Sequence, residues 1–351
     1  METKRKGLKR VLTGGMFLLA FPCLLTAQSK VGTTAGQFLG ISVGPRAIAM
    51  GSAYVGSNTD VTSLFWNPGA FAQAGKNEFV FSNTDWLVGT KFRWFGFMYN
   101  FDGENAVGVS FTQLDYGEDQ VTTVSFPDGT GDKWSAQDYA VGLTYARKLT
   151  DRFSIGGSAK FIGQSIWHES ASTFAFDVGL LFVTGFNDMR LGVSMTNFGG
   201  DLKMDGQDLM NKIDIDPLNS GSNKALVASL KTESWPIPLA FRVGAAMDVI
   251  KAEMVVLTLA SDAVLPSDNQ ASLNFGGEFG WNNMVFFRGG FKAAVQTGRK
   301  FLTQGDELEG LALGVGVRYA APGVATVGVD YAFQKFGVFG NLNTIALSIS
   351  F

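Results

Sequence analysis

Any acid–base or ligand chemistry in this 351-residue chain has to come from carboxylates, guanidinium groups and amines. The chain holds one histidine, His168, and one cysteine, Cys23. A single histidine at a predicted strand end supports neither a histidine metal site nor a Ser-His-Asp triad. Gly314-Val315-Gly316 lies inside a strand pattern, not between a strand and a helix, so it is not a phosphate loop. Asp201, Asp205, Asp208, Asp214 and Asp216 cluster between 201 and 216. Their spacing matches no calcium loop, and they read as a solvated acidic loop or a face that meets a partner protein. The remaining candidates are dispersed: Arg93, Lys160, Asp177, Arg242, Glu278, Arg288, Arg318 and Asp330. All fall on the less apolar face of alternating segments. Ionisable groups there must pair with one another, with a neighbouring segment or with water. The expected role is a salt-bridged interior; the other reading is a polar path or ligand site. No catalytic residue, cofactor or metal ligand is expected, and the chain is read as non-enzymatic.

The elements that must position these charges are strands. In the last segment Ile345, Leu347, Ile349 and Phe351 share one face, and Thr344, Ala346, Ser348 and Ser350 the other. Leu311, Leu313, Val315, Val317 and Tyr319 oppose Gly310, Ala312, Gly314, Gly316 and Arg318, and Tyr139, Val141, Leu143 and Tyr145 oppose Ala140, Gly142, Thr144 and Ala146. Side chains alternate along a strand, so each segment has one apolar face and one small or polar face. Roughly fourteen such segments between Asn77 and Phe351 predict a closed antiparallel transmembrane β-barrel.

Connection lengths sort in the same way. Short turns are expected at 101–104, 149–152, 185–188, 250–251, 281–283 and 321–323, with the Asp-Gly, Asn-Asn and Pro-Gly chemistry of tight hairpins. Long connections are expected at 115–133, 199–234 and 294–307, all at the opposite end and all external. Trp86, Trp134, Trp167 and Trp235 fall at external strand ends and Trp281 at a periplasmic one, the headgroup level that tryptophan favours.

Residues 1–27 read as a secretory signal. Lys4, Arg5, Lys6, Lys9 and Arg10 precede an apolar run from Val11 to Leu25, with a small-residue cleavage site before Gln28. Pro22 stands where a lipidated cysteine would follow a small residue, so Cys23 is not expected to carry lipid. Cleavage near Ala27 leaves 23 basic residues against 30 acidic, a balance unsuited to nucleic acid. No other run approaches the ~18 apolar residues of a spanning helix.

Residues 28–76 do not alternate. Their small residues predict a partly helical plug or hatch inside the barrel of residues 77–351. A helical turn is expected near Pro45, which suits a first helical position, and another at 60–66, ending at Asn67-Pro68-Gly69.

Three stretches here carry a family resemblance: Gly36-Gln37-Phe38-Leu39-Gly40-Ile41, Pro45-Arg46-Ala47-Ile48-Ala49-Met50-Gly51 and Leu64-Phe65-Trp66-Asn67-Pro68-Gly69-Ala70. With the ending Val329-Asp330-Tyr331-Ala332-Phe333, the chain resembles the PorV/PorQ family, itself similar to the FadL-like barrels. The resemblance implies an outer-membrane component of the type IX secretion system that binds or shuttles secreted cargo and meets translocon and surface-attachment proteins. The FadL-like group's Asn-Pro-Ala hatch element is here Asn67-Pro68-Gly69-Ala70, with an inserted glycine. Arg46, Asn67, Pro68 and Gly69 are therefore the candidate hatch residues. The alternative reading is a FadL-like transporter of hydrophobic compounds.

Overall fold

Fourteen antiparallel strands, each paired with its neighbours in sequence, close into a barrel. They are β1 (Glu78–Asp85), β2 (Lys91–Asn100), β3 (Asn105–Gln120), β4 (Lys133–Thr150), β5 (Phe153–Ile166), β6 (Glu169–Val183), β7 (Arg190–Gly199), β8 (Ala240–Lys251), β9 (Val255–Pro266), β10 (Ser272–Trp281), β11 (Val285–Ala294), β12 (Leu311–Ala321), β13 (Ala325–Lys335) and β14 (Asn341–Ser350). The seam runs from Glu78 opposite Ser350 to Asp85 opposite Asn343. Closure leaves no sheet edge, so the backbone polar groups of the wall are satisfied between strands. The computed structural model describes residues 31–351 except 58–59, 217, 219–225, 296–309, 322 and 324. The signal segment, Cys23, the cleavage site and most of the expected 294–307 connection lie outside the described residues. No described helix is long and apolar enough to cross a membrane.

The wall is apolar on its outside. Leu143 is 64% exposed and Phe174 65%, and Val315, Val317, Ile345 and Leu347 stand outward in the same way. Such a continuous exposed surface fits lipid, not water. The partners of these residues in the alternation, among them Thr144, Ala312, Thr344 and Ala346, are buried on the inside.

Three expectations need correction. Arg93 stands on the outer face of β2 with Phe95 and Phe97, while Phe92, Trp94 and Met98 point inward. Both faces of β2 are apolar, so alternation carried no register there. The expected connection at 115–133 is shorter, because β3 continues to Gln120 and β4 begins at Lys133, with a bulge between Asp115 and Glu118. Backbone pairing persists where the side chains have turned polar. The turn placed at Ile250-Lys251 falls just beyond β8, with Ala252 N–H donating to the Val255 carbonyl.

The N-terminal segment runs along the inner face of the wall. It contains α1 (Pro45–Ala49), with proline in its first turn, and α2 (Ser63–Trp66). Both helices are too short to hold themselves. Burial of Phe38, Ile48, Met50, Tyr54, Leu64, Trp66 and Phe71 fixes them instead. Close approach to the wall depends on glycines. A Cβ at Gly156 would collide with the Pro68 carbonyl, and one at Gly179 with Asn67 Oδ1.

Candidate functional site

The inward charges of the wall meet the N-terminal segment in one chain of alternating sign. Arg46 on α1 forms a two-pronged pair with Glu278 on β10, Nε to Oε2 and Nη2 to Oε1, both 2.7 Å. Its Nη1 donates to Asp60 Oδ2 at 3.0 Å. Glu278 Oε2 also accepts from Arg288 Nε at 2.6 Å, and Arg288 Nη1 donates to Asp330 Oδ1 at 2.5 Å. Asp60, Arg46, Glu278, Arg288 and Asp330 thus link α1, the approach to α2 and strands β10, β11 and β13. Charges this deep persist only when each is paired and hydrogen-bonded, and removing one partner strands the rest. Asp60 is held further by Tyr54 Oη at 2.5 Å and the Thr62 N–H at 3.0 Å. Burial alone would raise the Asp60 pKa; Arg46, Lys76 and the Thr62 and Tyr54 hydroxyls outweigh it and keep the carboxyl well below the usual range.

A second cluster sits on β5, β6 and β7. Lys160 Nζ lies 2.9 Å from Asp177 Oδ1 and also hydrogen-bonds the Asn197 side chain. The β6–β7 register shifts between Phe176 and Val178, and Asp177 Oδ1 accepts the Asn197 N–H at 2.7 Å. The carboxylate satisfies a donor at the point where the ladder breaks. Arg242 on β8 donates to Thr196 Oγ1 at 2.7 Å and stacks 5.6 Å from the Trp66 ring centroid, so it too reaches the N-terminal segment.

Asn67-Pro68-Gly69 is held by backbone recognition. Asn67 Nδ2 donates to the Val55 and Leu180 carbonyls, each at 3.0 Å, and Asn67 Oδ1 accepts the Gly69 N–H at 3.1 Å. Gly69 itself lies against the Gly179 carbonyl, so a side chain there would strike the wall. Arg318 is inward but stands apart from the network, its guanidinium 4.7 Å above the Phe286 ring. Arg93, outside the wall, pairs with Asp115 at 3.4 Å. His168 lies at the long-loop end, 2.9 Å from Asp208 of the acidic loop.

Several residues of the arrangement were missed by sequence reasoning. Asp262 Oδ2 accepts the Tyr54 and Val55 N–H groups at 2.6 and 2.8 Å, and Glu78 Oε2 accepts the Val61 N–H at 2.8 Å. Both carboxylates share the inward face of their strands with small residues, the same criterion that marked Glu278, and that signal was legible. Asp60 belongs to a segment without a period and had no comparable signal.

Comparison with known proteins gives three results. The family model described as "Type IX secretion system protein PorV" matches residues 25–220, more than half of the chain. No curated protein matches. Among solved structures, the chain is similar to the CymD monoaromatic hydrocarbon channel, with a TM-score of 0.56 and 12% identity over 88% of this chain and 96% of that one. The Pseudomonas putida toluene transporter TodX gives a TM-score of 0.55 with 12% identity over 92% and 99% of the two chains. A Pseudomonas aeruginosa FadL homologue gives 0.50 and 13% over 93% and 99%. At such identities these likenesses establish the FadL-like barrel fold and nothing about ligand.

Proposed function

We propose, from the premise that this chain belongs to the PorV family of type IX secretion system proteins, that it is a non-catalytic secretion component binding cargo or translocon proteins at its long-loop end. The barrel belongs to the outer membrane. In this reading the short turns face the periplasm, the long connections face outward, and residues 28–76 act as a plug that stays in place.

One observation carries the proposal. The connection between β7 and β8 projects a small two-stranded hairpin, 210–213 with 226–229, whose Met210, Ile213, Leu226 and Val227 are exposed along with Trp235. These apolar side chains are carried by a loop instead of the lipid-facing wall, as a protein-docking surface requires. A transporter of hydrophobic compounds needs a continuous apolar path. The cavity of about 510 Å³ inside this barrel is lined by Arg46, Lys76, Arg190, Asp248, Glu278 and Arg318, which disfavours that reading.

The test is purification of the tagged protein from its native outer membrane in mild detergent, with mass spectrometry of what accompanies it. A large translocon subunit or a surface peptidase in stoichiometric amount is the expected result. A lone barrel carrying hydrophobic small molecules would overturn the proposal in favour of transport.

A further inference from the structure

At the short-turn end, the cavity of about 510 Å³ brings together four cations, Arg46, Lys76, Arg190 and Arg318, and two carboxylates, Asp248 and Glu278. The carboxylates are already engaged. Glu278 is shared by Arg46 and Arg288, and Asp248 takes both terminal nitrogens of Arg190 at 3.3 and 2.8 Å. Donors remain. Arg318 has no carboxylate partner among the described residues and is held over Phe286. Arg190 Nε is buried and donates to no described acceptor. Lys76 spends one contact on Glu78 at 2.8 Å and is a third exposed. Asn282 and Asn283 line the same space, and Met50, Val256, Met284 and Phe286 supply an apolar floor. Phe286 also carries Arg288 at 5.3 Å, so one ring positions two guanidinium groups.

We infer that this cavity is an oxyanion site, in which Arg318, Arg190 and Lys76 bind a phosphate group. Unspent donors on three cations, from β7, β12 and the stretch before β1, suit a tetrahedral anion with several acceptors better than a planar carboxylate. The volume exceeds that of bare phosphate and falls in the range of small-ligand sites. The phosphate is therefore either a free periplasmic ion or ester, or the headgroup of a phospholipid at the barrel rim.

The experiment is isothermal titration of the full chain, in phosphate-free detergent, with inorganic phosphate. Saturable binding is expected, weakened at least tenfold by Arg318→Gln and less by Arg318→Lys. Arg147→Gln, on the exposed face of β4 near its short-turn end, should bind as the parent does. Heat-modifiable mobility on gels establishes that each variant is folded. Absence of saturable binding, equal affinity in Arg318→Gln, or equal loss in Arg147→Gln would overturn the inference. Repetition in nanodiscs separates the sources. Phosphate affinity lowered by phosphatidylglycerol but not by phosphatidylcholine assigns the site to a headgroup; indifference to lipid assigns it to a free anion.

Discussion

Glu278 is the residue on which the inner charges turn, because two guanidinium groups share its carboxylate. Glu278→Gln leaves Arg46 and Arg288 buried and short of a counter-charge. Breaking a buried pair in this way costs about 3–5 kcal/mol. A fall in unfolding midpoint larger than that of Arg93→Gln on the outer face is expected in denaturant titration. Gly179→Ala tests a different force. Its Cβ would enter the space of Asn67 Oδ1, and overpacking of that kind costs about 1–3 kcal/mol. Accelerated proteolysis of residues 31–76, with the barrel intact on gels, is the expected outcome. Asp60 gives a pH signature. Its folded pKa is depressed, so its stabilisation is complete above the unfolded carboxylate value of about 3.9 and fades only as pH falls below it. Protection of the N-terminal segment should therefore hold from neutrality to about pH 4 in the parent, and be reduced throughout that range in Asp60→Asn, which has no carboxylate to pair with Arg46. Loss of protection in the parent above pH 5 would contradict the pairing with Arg46.

At the scale of elements, two-residue periodicity decides which side of the wall meets lipid. Val329 on β13 points outward and its neighbour Asp330 inward. Val329→Lys places a charge in lipid, which costs up to about 2–4 kcal/mol near the bilayer midplane. Val329→Leu should assemble as the parent does in liposomes, and Val329→Lys should not; equal folded yields would mean the face is misassigned. The same periodicity failed in β2, where Phe92, Trp94, Phe95, Phe97 and Met98 leave no polar face to read. It failed again at 115–120, where hydrogen bonding to β4 extends the strand past the last apolar residue. The helices of the N-terminal segment were legible only at Pro45 and at the Asn67-Pro68 stop. Too short to carry a period, they are held by the wall they touch.

For the whole molecule, removal of residues 210–229 tests whether the long-loop end and the barrel are separable. The truncated chain should fold and insert, since the wall strands are untouched, but should lose its co-purifying proteins in the mild-detergent experiment. Retention of those partners would move the docking surface elsewhere. The strand number, the sorting of short and long connections and the inward placement of Glu278, Arg288 and Asp330 were all determined by the sequence, because alternation and turn chemistry are local properties. Which charges meet was decided only by the tertiary structure. Arg46 and Glu278 are 232 residues apart, and their contact exists because closure of the seam at β1 and β14 folds the wall around a segment with no period of its own.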